Sequence, residues 1–345
     1  MDAIEIKHND QISNIFVEKS LERLGSLLPS SNIIVLIDEN VNRLYGNLFS
    51  QFKLISIRSG EPEKTLDTVA GIYGQLIELE ADRHTFILGV GGGIVCDMAG
   101  FIASTYMRGL RFGFIPTTLM AQADASIGGK NGVNFHRFKN MIGTINQPEF
   151  VLADVRFLST LPLRELNAGF AEIIKYGLIS DKSILDDFDL NINQYLKVDT
   201  DELAKLIFKC ASIKANIVNM DAREQGLRKI LNFGHTIGHA IERISSDHNH
   251  GEGVSMGMVA AMKISQVKGD ISIAETDRVC SLLLKLYLPV SIGRQLFPGI
   301  IESLRADKKR NQQFIDYIIL KRLGTAEIIQ MTFAELSALL LNMKL

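Results

Sequence analysis

A run of strand-forming residues, Thr85 to Val90, ends in Gly89-Val90-Gly91-Gly92-Gly93, four glycines in five positions, and passes directly into helix-forming sequence. No other feature constrains the fold as much. Glycines at such a junction let a ligand approach the backbone, and the helix that follows offers unpaired N–H donors at its positive dipole end. The residues beyond are polar and cationic: Asp97, Arg108, Thr117-Thr118, Asp124, Gly128-Gly129-Lys130 and Lys139-Asn140. They look like a site for an anionic ligand beside a nucleotide. The plain alternative is a glycine-rich turn with no ligand. A Gly-x-Gly-x-x-Gly fingerprint would need glycine where Ile94 stands, and the loop follows the third strand of the pattern, so the match alone is weak. Asp97 and Glu61-Pro62-Glu63-Lys64 favour a nucleotide, because carboxylates at strand ends accept hydrogen bonds from ribose hydroxyls.

Around this junction, β-branched runs alternate with helical patterns. Candidate strands are Asn32 to Ile37, Lys53 to Ile57, Thr85 to Val90, Arg111 to Ile115 and Phe150 to Ala153, with a helix over Thr65 to Leu79. That alternation predicts a mostly parallel, Rossmann-like sheet covered by helices, with ligands at the carboxyl ends of its strands. Asp38, the glycine run and Thr117-Thr118 all fall at such ends. From about Leu163 the texture changes to 3.6-period segments: Glu165 to Leu178, Asp201 to Asp221, Gly234 to Ile244, Gly253 to Val267 and Ala274 to Tyr287, with a late strand or hairpin at Phe314 to Leu320. The expectation is an α/β N-terminal domain over residues 1–158 and a mainly α-helical C-terminal domain over 159–345. A length of 345 residues, beyond the usual limit of a single core, agrees with two domains.

Bulk properties exclude several classes. A net charge of −2 argues against a dedicated nucleic-acid surface. No apolar run approaches the roughly 18 residues of a membrane span. The start, Met1-Asp2-Ala3-Ile4-Glu5, lacks the pattern of a secretory signal. Cys96, Cys210 and Cys280 are odd in number and widely spaced, and read as reduced thiols in a cytoplasmic protein.

Four of the seven histidines, His235, His239, His248 and His250, fall within 16 residues, and Glu172 and Lys175 share a helix face upstream. Two imidazoles and a carboxylate with an open position are the usual ligand set for catalytic zinc. Solvated histidines on a polar helix face are the alternative; the glycines flanking His235 and His239 argue for close approach instead. Spacing nominates His235 with His239, one turn apart, or His235 with His250, and periodicity does not choose. Cations and amides spread over both halves (Lys130, Lys139, Asn140, Lys175, Lys214, Arg228 and the run Asp307-Lys308-Lys309-Arg310) are each ordinary surface charges alone. Together they suit a ligand carrying phosphate and carboxylate.

Taken together, these motifs resemble the 3-dehydroquinate synthase family of the sugar-phosphate cyclase superfamily. They are Gly91-Gly92-Gly93 with Asp97; Thr105-Tyr106-Met107-Arg108-Gly109; Pro116-Thr117-Thr118; Asp124 with Gly128-Gly129-Lys130; Lys139-Asn140-Met141-Ile142-Gly143; Ala171-Glu172-Ile173-Ile174-Lys175; Asn232-Phe233-Gly234-His235 through His239; and His250-Gly251-Glu252. The resemblance as a whole runs from about Asp38 to Arg310. The resemblance implies a homodimer that uses bound NAD as a recycled oxidant and a divalent metal, usually Zn2+, with Co2+ the other candidate. The implied reaction converts 3-deoxy-D-arabino-heptulosonate 7-phosphate to 3-dehydroquinate and phosphate by transient oxidation, elimination, re-reduction and aldol closure, within the shikimate pathway. Carried over, Glu172, His235 and His250 would hold the metal. Asp38, Glu61, Lys64, Gly91, Gly92, Gly93, Asp97, Thr117 and Thr118 would hold NAD, with Lys130 and Lys139 alongside. Asp124, Lys130, Lys139, Asn140, Lys175, Lys214, Arg228, Asn232 and Lys308 or Lys309 would hold the sugar phosphate. His239 would help proton movement, and Lys175, Asn232 and Arg228 would join it in catalysis. Arg108 would reach the phosphate from the neighbouring subunit. Cys96, Asn131 and Phe138 depart from the residues common in the family (glycine, threonine and glycine). Rival readings are another cyclase, such as 2-deoxy-scyllo-inosose or 2-epi-5-epi-valiolone synthase, and a metal-dependent polyol dehydrogenase.

Overall fold

A computed structural model of the chain describes residues 2–8, 11–29, 32–136, 138–308 and 314–342. It divides into two compact units, residues 1–162 with 198–223, and 163–197 with 224–345.

The first unit is built on a seven-stranded sheet. Its strands in chain order are β1 (Ile4–His8), β2 (Gln11–Glu18), β3 (Ile33–Asp38), β4 (Lys53–Ile57), β5 (Phe86–Gly91) and β6 (Arg111–Pro116); β7 (Lys130–Phe135) and β8 (Phe138–Ile145) form a separate hairpin, and β9 (Phe150–Asp154) returns to the sheet. The order is β1-β2-β9-β6-β5-β3-β4, with β1 antiparallel to β2 and every other pairing parallel. The central strands are buried on both faces, which explains their near-continuous apolar sequence. Alternate side chains serve opposite layers. Ile34, Leu36 and Ile87 pack with Val69, Ile72 and Leu76, whereas Val35, Ile37 and Leu88 pack with Phe49 and Phe157.

Helices α1 (Leu24–Leu27), α2 (Glu39–Tyr45), α3 (Leu66–Glu78) and α4 (Gly93–Thr105) belong to this unit. Helices α5 (Leu163–Ile179) and α6 (Ser183–Leu196) follow, and then α7 (Thr200–Met220). The sequence reading grouped residues 198–223 with the C-terminal helices; in the structure α7 groups with the sheet. Ala211, Ala215 and Val218 of α7 join the same apolar layer as α3 and α4. A 3.6-residue period identifies a helix but not the layer that receives its apolar face.

The second unit holds α5, α6, α8 (His235–Ile244), α9 (His250–Val267), α10 (Ile273–Lys285), α11 (Phe297–Lys308), the antiparallel hairpin β10 (Phe314–Arg322) and β11 (Thr325–Thr332), and α12 (Phe333–Asn342). Helix α5 is buried almost throughout, from Leu166 to Ile179. Among the described residues, no helix is long and apolar enough to cross a membrane.

Candidate active site

The carboxyl ends of β3, β5 and β6 are adjacent, because Ile37 pairs with Val90 and Gly91 with Pro116. They bring Asp38, the glycine run and Thr117-Thr118 to one edge. None of Gly91, Gly92 or Gly93 needs a positive φ; their smallness serves packing. A Cβ on Gly91 would lie 2.7 Å from Val95 Cβ, and one on Gly92 would lie 3.0 Å from the Thr118 methyl. Gly92 is the N-cap of α4 and supplies no side chain to its N–H groups, which stay available at that end. The Thr117 amide donates to the Gly91 carbonyl at 2.9 Å, joining the two strand ends. Asp38 caps α2, accepting from the Asn40 amide at 2.8 Å and from Ser59 Oγ at 2.8 Å.

Lys64 is buried and donates to Asp97 Oδ2 and to Asn140 Oδ1, both at 2.5 Å. Burial raises the Asp97 carboxyl above its ordinary pKa, and the Lys64 ammonium opposes that rise without cancelling it. Lys139 Nζ lies 4.0 Å from Glu61. Asp124 sits in a π-helical turn, Ala121–Ala125, and is held by the buried Lys214 Nζ, which is 2.9 Å from its carboxylate and 2.8 Å from its carbonyl. Lys130 opens β7 and is exposed. Arg108 is exposed on a strained turn in which Met107, Arg108 and Gly109 all have positive φ (48°, 70° and 125°). Cys96 is buried, and burial and then Asp97 push its thiol pKa up, which disfavours the thiolate.

Asn131 has a defined place in the structure. Its amide donates to the carbonyls of Gly129 (3.0 Å) and Asn146 (2.9 Å). Gly100 makes room for it, since a Cβ there would fall 2.0 Å from Asn131 Oδ1. Phe138 pairs with Phe135 across the β7–β8 hairpin.

In the second unit, glycines set the ligand geometry. Gly234 caps α8 with φ +79°, a conformation that favours glycine, and places His235 at the first helical position. A Cβ on Gly257 would lie 1.9 Å from the Gly234 carbonyl, one on Gly238 3.0 Å from Gly253, and one on Gly251 2.3 Å from Ala168 Cα. Helix α9 thus touches α8 and α5 backbone to backbone. Its start is fixed by an Asn249–Glu252 capping box and by Arg164, whose guanidinium grips Glu252 with two hydrogen bonds of 2.7 Å.

This packing brings Glu172, His235 and His250 together, their ligand atoms lying within 4.8 Å of one another. Glu172 Oε1 is 3.1 Å from His250 Nε2 and 3.5 Å from His235 Nε2. Two ligands each about 2.0–2.1 Å from one zinc ion in tetrahedral geometry would be about 3.3 Å apart, so the donor set fits. Both rings are oriented from behind, His235 Nδ1 by the Phe233 carbonyl (3.1 Å) and His250 Nδ1 by Glu242 (2.8 Å). Sequence reasoning gave Glu242 no role; its position three residues after His239 was the one available signal. Lys175 Nζ forms a buried ion pair with the other Glu172 oxygen. Burial works against the Glu172 charge, but Lys175, His235 and His250 outweigh it and hold the carboxyl well below its usual range. Burial drives His235 down to about 3. Burial opposes protonation of His250 too, yet the Glu172 and Glu242 carboxylates carry it up to about 10. The difference follows from geometry: His250 is nearer Glu172 and alone has a second carboxylate. His239 is exposed, with its ring 5.2 Å from that of His235 and 5.9 Å from that of His250. It forms a second, more exposed grouping with Glu242 and His250, but there Glu242 is already engaged with His250 Nδ1.

Arg228 is fully buried in the turn Leu227–Asn232, at whose end Asn232 donates to Glu224. Lys308 ends α11; its side chain and the Lys309-Arg310 pair lie outside the described residues.

The N-terminal family profile of 3-dehydroquinate synthase matches residues 54–168, and the C-terminal profile matches residues 169–310. The chain belongs to the 3-dehydroquinate synthase family. A 3-dehydroquinate synthase from Desulforamulus reducens is 38% identical over 346 residues, covering 96% of each chain. Among solved structures, 2-epi-5-epi-valiolone synthase from Streptomyces hygroscopicus, with NAD+ and Zn2+ bound, matches with a TM-score of 0.87 at 26% identity over 97% of each chain. A 2-deoxy-scyllo-inosose synthase complexed with carbaglucose-6-phosphate, NAD+ and Co2+ matches with a TM-score of 0.85 at 27% identity over 98% of each.

The donor geometry makes a specific prediction for purified variants. His250→Ala and Glu172→Ala should carry only background zinc by elemental analysis, while His239→Ala retains most of it. Glu242→Gln should weaken metal affinity by about 10–100-fold. Loss of metal from His239→Ala with retention in His250→Ala would instead place the ion on the one-turn histidine pair.

Proposed function

We propose that this chain is a 3-dehydroquinate synthase, converting 3-deoxy-D-arabino-heptulosonate 7-phosphate to 3-dehydroquinate and inorganic phosphate. The observation that carries the reading is the buried Glu172–His235–His250 donor set with Lys175 beside it, in a chain whose relatives of that name align over nearly its whole length. The solved cyclases with bound NAD+ and Zn2+ or Co2+ support the same two cofactors here.

When bound, NAD supplies a hydride acceptor that is restored within the cycle, and the metal supplies Lewis acidity toward substrate hydroxyls. Glu172, His235 and His250 would hold the metal. The N-terminus of α4 at Gly92-Gly93 would take the pyrophosphate, and Asp38, Glu61, Lys64, Gly91, Asp97, Thr117 and Thr118 the remaining polar groups of NAD. The resemblance assigns Asp124, Lys130, Lys139, Asn140, Lys175, Lys214, Arg228, Asn232, His239 and Lys308 to the sugar phosphate. Lys175 is a fixed, desolvated cation, which stabilises negative charge more strongly than an exposed lysine does. His239 is solvent-accessible and therefore able to exchange a proton with water. The buried Arg228 is held in place and so loses little freedom when it meets an anion.

The protein is further proposed to be a cytoplasmic homodimer, with no nucleic-acid or membrane partner. The exposed, strained turn at Met107-Arg108-Gly109 supports Arg108 reaching the phosphate bound by the other subunit.

Incubation with NAD, Zn2+ and the heptulosonate phosphate should release phosphate stoichiometrically with 3-dehydroquinate and without net NADH. Steady NADH accumulation would favour a polyol dehydrogenase, and phosphate release with a different carbocycle would favour another cyclase. For the dimer, inactive Arg108→Ala and Lys175→Ala subunits should regain part of the activity when assembled together, and verified mixed dimers with none would remove the shared site.

A further inference from the structure

Asn134, which the assignments above leave without a role, lies near the end of β7 and is engaged through its backbone N–H and both polar groups of its side chain. Its backbone N–H donates to the Lys64 carbonyl at 2.8 Å. Its side-chain N–H donates to Glu61 Oε1 at 2.8 Å, and its side-chain oxygen accepts from the Asn140 backbone N–H at 2.9 Å. Asn134 also bridges Thr65 in parallel fashion, so the hairpin is stitched to the segment that carries Glu61 and Lys64. Asn140 in turn has φ +50°, a left-handed conformation that asparagine tolerates better than most residues, and its side chain accepts from Lys64 Nζ. One half-buried amide therefore joins a residue assigned to NAD, Glu61, to a residue assigned to the sugar phosphate, Asn140.

We propose that Asn134 is a positioning residue that couples the two ligands. By holding Glu61 and the Asn140 backbone at once, it makes the correct placement of one favour the correct placement of the other. The coupling has a stated physical carrier: the side-chain amide donates to Glu61 on the cofactor side and accepts from Asn140 within the hairpin, so a slide of the hairpin along residues 61–64 breaks the first bond while Asn140 travels with Asn134. The proposal rests on the functional reading above for the identity of the ligands, but its cofactor arm is read by binding alone.

Two variants separate the halves of the device. Asn134→Ala removes both side-chain hydrogen bonds, whereas Asn134→Asp keeps the acceptor for Asn140 and turns a carboxylate toward Glu61. Calorimetric titration of each protein with NAD, and steady-state phosphate release, are the measurements. Asn134→Ala should raise both the NAD Kd and the KM for the heptulosonate phosphate by about 3–10-fold, with kcat changed less than about threefold. Asn134→Asp should raise the NAD Kd at least as much while leaving KM within about twofold. A purely structural role would lower the unfolding temperature and leave this split absent; NAD Kd and KM both within twofold of the parent in Asn134→Ala would overturn the proposal. A parent protein that binds NAD and releases no phosphate would remove the functional reading while the NAD arm still decides whether Asn134 positions Glu61. A parent that binds no NAD would overturn both.

Discussion

The second unit is organised around one buried negative charge. Glu172 lies on the most enclosed helix of that unit and is fully buried, so its carboxylate has lost the water that would otherwise stabilise it. An unpaired charge in such a place costs several kcal/mol, and removing one partner from a buried pair is correspondingly destabilising. Lys175 answers one oxygen, and His235 and His250 face the other. The backbone contacts of Gly234, Gly238, Gly251 and Gly257 are needed because the imidazoles come from two other helices. A single Cβ at Gly251 or Gly257 would push α9 away from α5 or α8 and pull the ligand atoms apart. The packing and the proposed chemistry are therefore the same constraint seen at two scales.

The first unit shows a related economy on its own scale. The glycines between β5 and α4 bring strand and helix backbones close and leave the helix N-terminus open. Lys64 and Asp97 form an ion pair under that edge, and Asn140 on the hairpin shares the same ammonium. Asn131 seats the hairpin against α4 through the space left by Gly100. A residue that departs from the family pattern is thus accommodated by a specific neighbour, and the local path of the hairpin is kept.

Much of this was legible in the chain itself, for identifiable reasons. Strands β3, β5, β6 and β9 were readable because burial makes them near-continuous apolar runs, and they start or end within one residue of the expected bounds; the edge strand β4, partly exposed, matches its expected bounds through its alternating apolar residues. Strands β7 and β8 were not, because β8 is largely exposed along its length and carries no alternation of apolar and polar residues. Helix α7 was readable as a helix but not as a neighbour of the sheet, since its apolar stripe fits either layer. The histidine cluster was legible as a metal motif, yet spacing left His239 and His250 as equal candidates. What separates them is tertiary: α9 folds back on α5 so that His250 reaches Glu172, while His239, on the same helix as His235, stays exposed. Glu242 and Asn134 were missed because each acts through a neighbour, and a supporting contact leaves no spacing signature in sequence.

The account is tested most directly by anomalous diffraction at the zinc edge from crystals of the protein grown with Zn2+. One strong peak is expected, about 2.0–2.2 Å from a Glu172 oxygen and from Nε2 of both His235 and His250. A peak held by His239 or His248 with Glu172 out of reach, or no peak in a protein that nonetheless releases phosphate, would contradict it.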